Sequence, residues 1–195
     1  MFDTSKTYRL SIRDQLRMAN VERWQIMKTD RQQNVAEHTC NVMLIAMDIL
    51  DRWADHPAIC QGQLMEFGFI RSGVLLACLY HDLPEVVLGD LPSPLKDAMG
   101  PATSQELKNI EQSFEPSYPV AGIQASILKA ADLMDAIHFL RQQGQDEHAM
   151  NVKVHLGHKL EAVIQATEGH PLRDAMESTY AEIANGKQTF LEDLI

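Results

Sequence analysis

The sequence has no apolar run long enough to cross a membrane and no pattern typical of export. A membrane-spanning helix needs roughly 18 consecutive uncharged residues, and no stretch of this chain of 195 residues meets that requirement. The first residues, Met1 to Lys6, lack the basic and then apolar order of a signal peptide. We therefore expect a cytoplasmic protein that makes no contact with a membrane.

Cysteine is scarce, which argues against a fold held together by disulfides. Only three cysteines occur, Cys40, Cys60 and Cys78, and they are odd in number and widely spaced. The composition is otherwise that of a globular domain, with 45% hydrophobic and 23% charged residues. The length predicts a single domain over residues 1–195.

Positive charge is under-represented, with 17 Lys and Arg against 27 Asp and Glu and a net charge of −10. A surface that binds a nucleic-acid polymer needs a basic patch to displace counterions from phosphate, so we exclude such a partner. A small anion is compatible with this charge, because a metal ion and a few local cations can make one pocket positive.

The strict alternation of apolar and polar residues that marks half-buried strands is also missing, and helical periodicity takes its place. Capping boxes are predicted at Asn34 with Glu37 and at Thr103 with Glu106. The pattern predicts an all-α bundle of about six or seven helices. The helical segments cover residues 8–24, 34–55, 64–83, 103–114, 121–143, 149–167 and 171–185.

A histidine and an aspartate are adjacent at the end of the apolar segment 64–83. His81 and Asp82 are followed by Pro84, which disfavours helix at Leu83 and predicts a break there. Adjacent helical residues point about 100° apart, so both side chains can reach one ion only at a distorted helix end. The break at Pro84 is a physical reason for such a distortion.

His38 on the second segment and an acidic residue on the segment 121–143 complete a candidate metal site. Two imidazoles and two carboxylates suit a divalent transition ion and leave positions for water and a substrate oxygen. From spacing alone, His81 fits an ordinary helix-end residue equally well, so both interpretations stay open at this point.

Five motifs that occur in order carry a resemblance to a known family. The set is similar to the HD-domain metal-dependent phosphohydrolases, and within them to the bacterial 5′-deoxynucleotidases and the phage-type dATP triphosphohydrolases. The resemblance covers roughly residues 23–135, and the C-terminal third carries no motif of this kind. The motifs are Arg23-Trp24, Asn34 to Thr39 (NVAEHT), His81 to Glu85 (HDLPE), Gly89 to Pro94 (GDLPSP) and Lys129 to Asp132 (KAAD).

The resemblance implies the HD-domain helical fold, one divalent metal ion (Zn, Co, Mn or Mg) and assembly as a homo-oligomer. It implies catalytic roles for Glu85 and Asp90. The implied metal ligands are His38, His81, Asp82 and Asp132, and the residues implied to face the nucleotide are Arg23, Trp24, Asp90, Leu91, Pro92 and Ser93.

These residue types agree with phosphate-ester chemistry. Glu85 could handle the proton of an attacking water, and Asp90 could relay a proton or orient the leaving 5′ oxygen, although the sequence does not decide between them. Arg23 offers a planar fork suited to two phosphate oxygens. Trp24 offers either a flat face for a base or sugar, or an anchor in the core.

The expected reaction is hydrolysis of the 5′ phosphoester of a deoxynucleoside monophosphate, which yields the deoxynucleoside and phosphate. An alternative is a triphosphohydrolase that releases triphosphate, and this would need several cations; Lys28, Arg31 and Lys96 lie near the motifs. A cyclic-nucleotide phosphodiesterase, with a second metal site from extra histidines, and a non-catalytic nucleotide-binding module are weaker alternatives.

Other polar residues on the helical segments have structural interpretations. Asp135 is predicted to lie on a helix surface, one turn after Asp132. His155, His158 and Glu161 are spaced like a solvated helix face rather than a second metal site.

Overall fold

The computed structural model of the protein describes residue 3, residues 6–59 and residues 64–186. Six helices of twelve or more residues dominate this part of the chain, which confirms the predicted all-α bundle. They are α2 (Val35–Ala54), α3 (Leu64–Tyr80), α6 (Pro101–Gln112), α7 (Gly122–Gln143), α8 (Glu147–Gln165) and α9 (Leu172–Asn185). The shorter elements are β1 (Tyr8–Arg9), α1 (Ile12–Gln15), the 3₁₀ segment Leu16–Asn20, α4 (Glu85–Leu88), α5 (Ser93–Ala98) and β2 (Phe114–Glu115).

Helix α2 lies at the centre of the bundle and contacts α3, α7 and α9. Its fully buried residues Val42, Ala46 and Ile49 recur at helical spacing and form one face of the main core. His38 lies one turn before Val42 on the same face, because residues four apart in a helix share a face. The apolar face that folds the bundle therefore carries a histidine at its N-terminal end.

The start of α2 agrees in part with the predicted capping box. The Asn34 side chain accepts a hydrogen bond from the backbone N–H of Glu37 at 2.8 Å, as predicted. The second bond of a capping box, from the backbone N–H of Asn34 to the Glu37 carboxylate, is absent between these two described residues. That carboxylate instead accepts hydrogen bonds from the Arg31 guanidinium at 2.6 and 2.8 Å. Asn34 alone therefore caps the helix that carries His38.

The end of α3 shows the predicted distortion, three residues earlier than the sequence indicated. The helix stops at Tyr80, and residues 81–84 form a turn in which the Leu83 N–H donates to the Tyr80 carbonyl at 3.2 Å. Pro84 then precedes the four-residue helix α4, which begins at Glu85. His81 and Asp82 therefore lie in a turn, where their side chains are freed from the regular helical angle.

The helix predicted over residues 8–24 is shorter in the structure, where only residues 12–20 are helical. Tyr8 and Arg9 pair in parallel with Phe114 and Glu115. A single helical turn and the 3₁₀ segment follow, and Trp24 adopts a left-handed backbone with φ 64°. Strands of two residues are too short to show alternation, and the apolar spacing came from contacts with several different elements.

Two further boundaries differ from the prediction. Helix α6 begins at Pro101 with Gly100 as its cap, so the capping box predicted at Thr103 is wrong. Proline is favoured in the first helical turn, where its missing N–H costs nothing. For the same reason α5 begins at Ser93 and includes Pro94, although none of the predicted helical segments covers these residues.

Cysteine and membrane features add little to the architecture. Cys78 is a buried free thiol and Cys40 an exposed one, while Cys60 lies outside the described residues. In the described part of the chain, no helix combines the length and the apolarity that a bilayer crossing requires.

We predict that Asn34→Ala lowers the free energy of unfolding by about 1 kcal/mol, because the first turn of α2 loses its side-chain cap. Chemical denaturation of the two proteins measures this difference. Ser11→Ala is the matched control: Ser11 caps α1, a helix of four residues with no buried side chain, so its loss should cost less. Equal losses in the two variants would contradict the prediction.

Candidate metal centre and adjoining cavity

His38 is the buried centre of a group of ligand-type side chains. It is fully buried in the first turn of α2. Its Nε2 atom lies 3.3 Å from the Nε2 atom of His81, 3.3 Å from an Asp82 oxygen and 3.5 Å from an Asp132 oxygen. The four residues predicted as metal ligands therefore meet at one imidazole nitrogen.

The turn after α3 aims His81 and Asp82 at the same point. The Nδ1 atom of His81 lies 2.7 Å from the carbonyl oxygen of Cys78, so Nδ1 donates and Nε2 is left to face His38. An Asp82 oxygen lies 3.3 Å from that Nε2 atom. Two adjacent residues thus reach one site, as the break at Pro84 predicted.

Helix α7 contributes Asp132 from the opposite side of the group. One carboxylate oxygen faces His38, and the other accepts a hydrogen bond from Lys129 Nζ at 2.7 Å. Atoms of His38, His81 and Asp132 all lie within 4.8 Å of one another.

The distances between these atoms fit a shared divalent ion. Two ligand atoms that each lie about 2.1 Å from one ion at a tetrahedral angle are about 3.4 Å apart. The separations of 3.3 to 3.5 Å around His38 Nε2 agree with this value. Two imidazole nitrogens and two carboxylates also form a donor set that transition metals prefer.

The electrostatics of the group favour a cation. Burial raises the pKa of Asp82, but His81, His38 and Arg23 together lower it by more than burial raises it. The resulting pKa lies well below the usual value of an aspartate. The pKa of Asp132 is also low, because hydrogen bonding to His38 and the charge of Lys129 outweigh its burial. Both carboxylates are therefore ionised at neutral pH.

His38 responds to the same carboxylates. Burial and the charge of Arg23 lower its pKa, but hydrogen bonds to Asp132, Asp135 and Asp82 raise it to about 10. Without a metal, both ring nitrogens of this imidazole are therefore protonated at neutral pH. A metal ion that binds Nε2 must displace a proton from the ring, so metal uptake is coupled to proton release.

Glu85 lies beside this group in a different electrostatic state. It is the first residue of α4 and is buried, and among the described residues its Oε2 atom has no hydrogen-bond partner. Burial, followed by the charges of Asp82 and Asp90, raises its pKa to about 9. Neighbouring carboxyl groups thus differ in protonation at neutral pH, as acid–base chemistry requires.

A cavity of about 310 Å³ opens from these carboxylates towards α8. Gly89, with φ 75°, reverses the chain after α4 and brings the next residues to the cavity wall. The wall includes five of the six residues that the resemblance placed near a nucleotide: Arg23, Trp24, Asp90, Leu91 and Pro92. The side chain of the sixth, Ser93, lies outside the described ones.

Arg23 and Trp24 occupy the cavity wall in specific contacts. An Nη1 atom of Arg23 donates to Asp82 at 2.8 Å. Trp24 stacks on Phe139 with ring centroids 5.7 Å apart and an interplanar angle of 4°. The Arg23 guanidinium lies 5.7 Å from the centre of the Trp24 ring. Of the two roles predicted for Trp24, these contacts favour that of an anchor that supports Arg23. They do not favour an open face on which a base could stack.

Asp135 was placed wrongly by the sequence analysis. It is 1% exposed, and one of its oxygens lies 2.6 Å from Nδ1 of His38. The other oxygen accepts a hydrogen bond from Asn41 at 2.8 Å. The available signal was its position in α7 between Met134 and Ala136, both buried, where an aspartate needs a partner.

Two cations for which the sequence predicted no role reach the cavity from α7 and α8. Lys129 and Lys159 line the wall together with Lys96, which the sequence had marked only as near the motifs. His155 is exposed, as predicted, and lies at the rim of the cavity. Helix α8 carries no part of the recognised motifs, which is why residues 155 and 159 could not be placed.

A helical bundle that brings two histidines and two aspartates to one point, with a further carboxyl beside them, defines a metal-dependent phosphohydrolase of the HD class. The model of the 5′-deoxynucleotidase YfbR-like family matches residues 13–154. The chain belongs to this family.

Relatives within the class carry two different activities in their names. The chain is 33% identical over 147 residues to a dATP triphosphohydrolase of Acinetobacter phage SH-Ab 15497, a match that covers 70% of this chain and 69% of that protein. It is 31% identical over 96 residues to a 5′-deoxynucleotidase of Yersinia pestis (strain Pestoides F), a match that covers 49% of this chain and 44% of that protein.

A solved structure has the same fold. The cyanophage S-2L HD phosphohydrolase DatZ, bound to dA and one catalytic Zn²⁺ ion, aligns with a TM-score of 0.74 at 24% identity, over 90% of this chain and 97% of that one.

We predict that Glu85→Gln stabilises the metal-free protein and that the gain grows as pH rises. The pKa of Glu85 is raised in the folded state, so between about 4.5 and about 9 folding retains a proton that the unfolded chain releases. Stability therefore falls through this window in the wild type, and glutamine does not titrate. Urea unfolding at pH 5 and pH 8, with the metal removed by a chelator, should show a gain of about 1–3 kcal/mol at pH 8.

Glu161→Gln is the control for this prediction, because Glu161 is exposed on α8 and its carboxylate stays in water. An equal pH dependence in the two variants would show that the burial of Glu85 does not shift its titration.

Proposed function

We propose that the chain hydrolyses the 5′ phosphoester bond of a deoxynucleotide with the help of a metal ion and releases the deoxynucleoside. The observation that carries this proposal is the meeting of His38, His81, Asp82 and Asp132 beside a cavity. Asp82, Asp132 and Glu85 form part of the wall of that cavity. The family and the names of both relatives support it, since each name refers to a deoxynucleotide substrate.

The proposed ligands favour zinc or a similar transition ion over magnesium. Magnesium prefers oxygen donors in a strict octahedron, whereas imidazole nitrogen suits zinc, cobalt and manganese better. The Zn²⁺ ion in the DatZ structure supports this choice. A divalent ion held here would offset phosphate charge, lower the pKa of a bound water and draw the pKa of Glu85 towards neutrality.

Glu85 is proposed to exchange protons at the reacting centre. It is a buried carboxyl group on the cavity wall with a pKa raised to about 9. A general acid or base works best when its pKa lies near the working pH. Asp90 lies on the same wall and raises the pKa of Glu85 through its charge, so we assign it to proton relay or to orientation of the 5′ oxygen.

Arg23 is proposed to bind phosphate. Its side chain is 12% exposed at the cavity, and its bond to Asp82 uses only one of the five N–H donors of a guanidinium. Trp24 supports it from behind, and Leu91 and Pro92 complete the wall near the leaving nucleoside.

The cavity supports a triphosphate substrate over a monophosphate. Lys96, Lys129 and Lys159 line the same wall as Arg23, and a chain of phosphates needs several cations. Lys129 is paired with Asp132, while among the described residues Lys96 and Lys159 form no ion pair. The match over 69% of the phage triphosphohydrolase agrees with this assignment.

The monophosphate is the second candidate. It rests on the family model, which is that of the 5′-deoxynucleotidases, and on the reaction that the sequence analysis expected first. Cytoplasmic location, homo-oligomeric assembly and a single domain stay predictions.

We predict that the metal-loaded protein releases deoxynucleoside together with triphosphate from a deoxynucleoside triphosphate. Protein stripped with a chelator and reloaded with Zn, Co, Mn or Mg is assayed on deoxynucleoside mono-, di- and triphosphates, and both products are identified by chromatography. Glu85→Gln is the paired variant: it should bind metal and lose about 10²- to 10⁴-fold in turnover. Absence of metal-stimulated hydrolysis in the wild type would refute the proposed function.

We predict that Lys96→Ala and Lys159→Ala each raise KM for the triphosphate by about tenfold or more, and raise KM for the monophosphate less. A charge-assisted hydrogen bond to phosphate contributes about 1.5–3 kcal/mol. Lys153→Ala is the matched control, because Lys153 lies on the same helix as Lys159 but lines a different surface groove. Equal changes in KM for both substrates would favour the monophosphate.

A further inference from the structure

A continuous set of hydrogen bonds joins the cavity wall to the candidate metal centre through the protein interior. The Trp24 indole donates to Oε1 of Gln33 at 2.9 Å, and Nε2 of Gln33 donates to Asp135 at 2.9 Å. The same Asp135 oxygen lies 2.6 Å from Nδ1 of His38. Gln33 and His38 are fully buried, and Asp135 is 1% exposed.

Asp135 can fix the orientation of His38. An ionised carboxylate only accepts hydrogen bonds, and three side chains face its two oxygens: His38, Gln33 and Asn41. The bond to His38 therefore requires a proton on Nδ1, so Nε2 is the ring nitrogen that faces His81, Asp82 and Asp132 and that can offer its lone pair once a metal ion displaces its proton. A carboxylate in this position holds a ligating histidine in one tautomer and one ring orientation.

Gln33 holds the end of this set of hydrogen bonds that lies at the cavity wall. Its backbone carbonyl accepts the Arg23 N–H at 2.8 Å, and its side chain accepts the Trp24 indole N–H. Trp24 has φ 64°, a left-handed conformation that is strained for a bulky residue and persists only where its surroundings determine it. Gln33 thus supports both residues of the cavity wall and the carboxylate behind His38.

A purely structural role would not require these residue types. A buried aspartate and a buried glutamine carry a desolvation cost, and an apolar pair of similar size would fill the same space without it. Both ends of this set of hydrogen bonds lie at the site. One end is His38 in the ligand group, and the other is Trp24 at the cavity beside Arg23.

We infer that Gln33 and Asp135 are positioning residues that hold the metal ligand His38 and the Arg23-Trp24 wall in one fixed relation. The inference rests on the proposed function, because it assigns the two ends to metal and nucleotide. It adds a role for two residues outside the five sequence motifs.

Asp135→Asn tests the metal end. Asparagine has one oxygen and one amide group, so at least one of the three donors loses its acceptor. The expected result is metal affinity about 10- to 100-fold weaker, measured without nucleotide by competition with a chromophoric chelator. Asp48→Asn is the matched control, since Asp48 on the same helix as His38 accepts hydrogen bonds from Arg52 and Thr179 away from the site.

Gln33→Met tests the coupling and keeps the side-chain length. In a Trp53→Phe background Trp24 is the only tryptophan, because the chain has two. Metal addition should change the Trp24 fluorescence when Gln33 is present, and Gln33→Met should abolish that change. With saturating metal, Gln33→Met should raise KM for the deoxynucleotide more than it lowers kcat.

Two results would overturn the inference. One is metal affinity in Asp135→Asn that is within twofold of the wild type or equal to that of Asp48→Asn. The other is an unchanged fluorescence response in Gln33→Met. Metal affinity is measured without substrate, so a weak Asp135→Asn variant beside an inactive wild type would refute the proposed function and leave the positioning role standing.

Discussion

The site depends on one contact pattern, the approach of three ligand-type groups to Nε2 of a fully buried histidine. His38 can occupy this place because it continues the core-facing row of α2, in which Val42 and Ala46 follow it. The packing that stabilises the bundle therefore also fixes the position of the proposed metal ligand. A shift of α2 against α3 or α7 would separate His38 from His81 or from Asp132. The geometry of the site therefore depends on the packing of the bundle.

Carboxyl groups around this histidine are separated into two classes by their surroundings. Asp82 and Asp132 face imidazoles and cations, which lower their pKa values and keep them ionised. Glu85 is buried without a hydrogen bond at Oε2 among the described residues, and the neighbouring charges raise its pKa. One small region thus contains anions suited to a metal and an acid suited to proton transfer, and this difference in environment is what the proposed hydrolysis needs.

The net charge of −10 and the cations of the cavity fit the same interpretation. A long polyanion would meet an acidic surface, whereas the proposed nucleotide would meet Arg23, Lys96 and Lys159 on the cavity wall. Three helical segments of the chain supply the cavity lysines, which lie far apart in sequence. Under the proposed function, the charge of the whole chain therefore limits the size of the substrate, and the cations of the cavity set the number of phosphates that the substrate carries.

Local sequence rules determined much of the fold and part of the site. The apolar periodicity of α2, α7 and α9, the cap at Asn34 and the break at Pro84 act over a few residues, so they were readable without coordinates. The same holds for His81 and Asp82, whose convergence follows from a helix end. Asp135, Gln33, Lys159 and the left-handed Trp24 were misplaced or missed, because each owes its role to elements that the fold brings together from distant parts of the chain. Asp135 meets Gln33 across 102 residues, and periodicity does not report which partner a buried polar group will find.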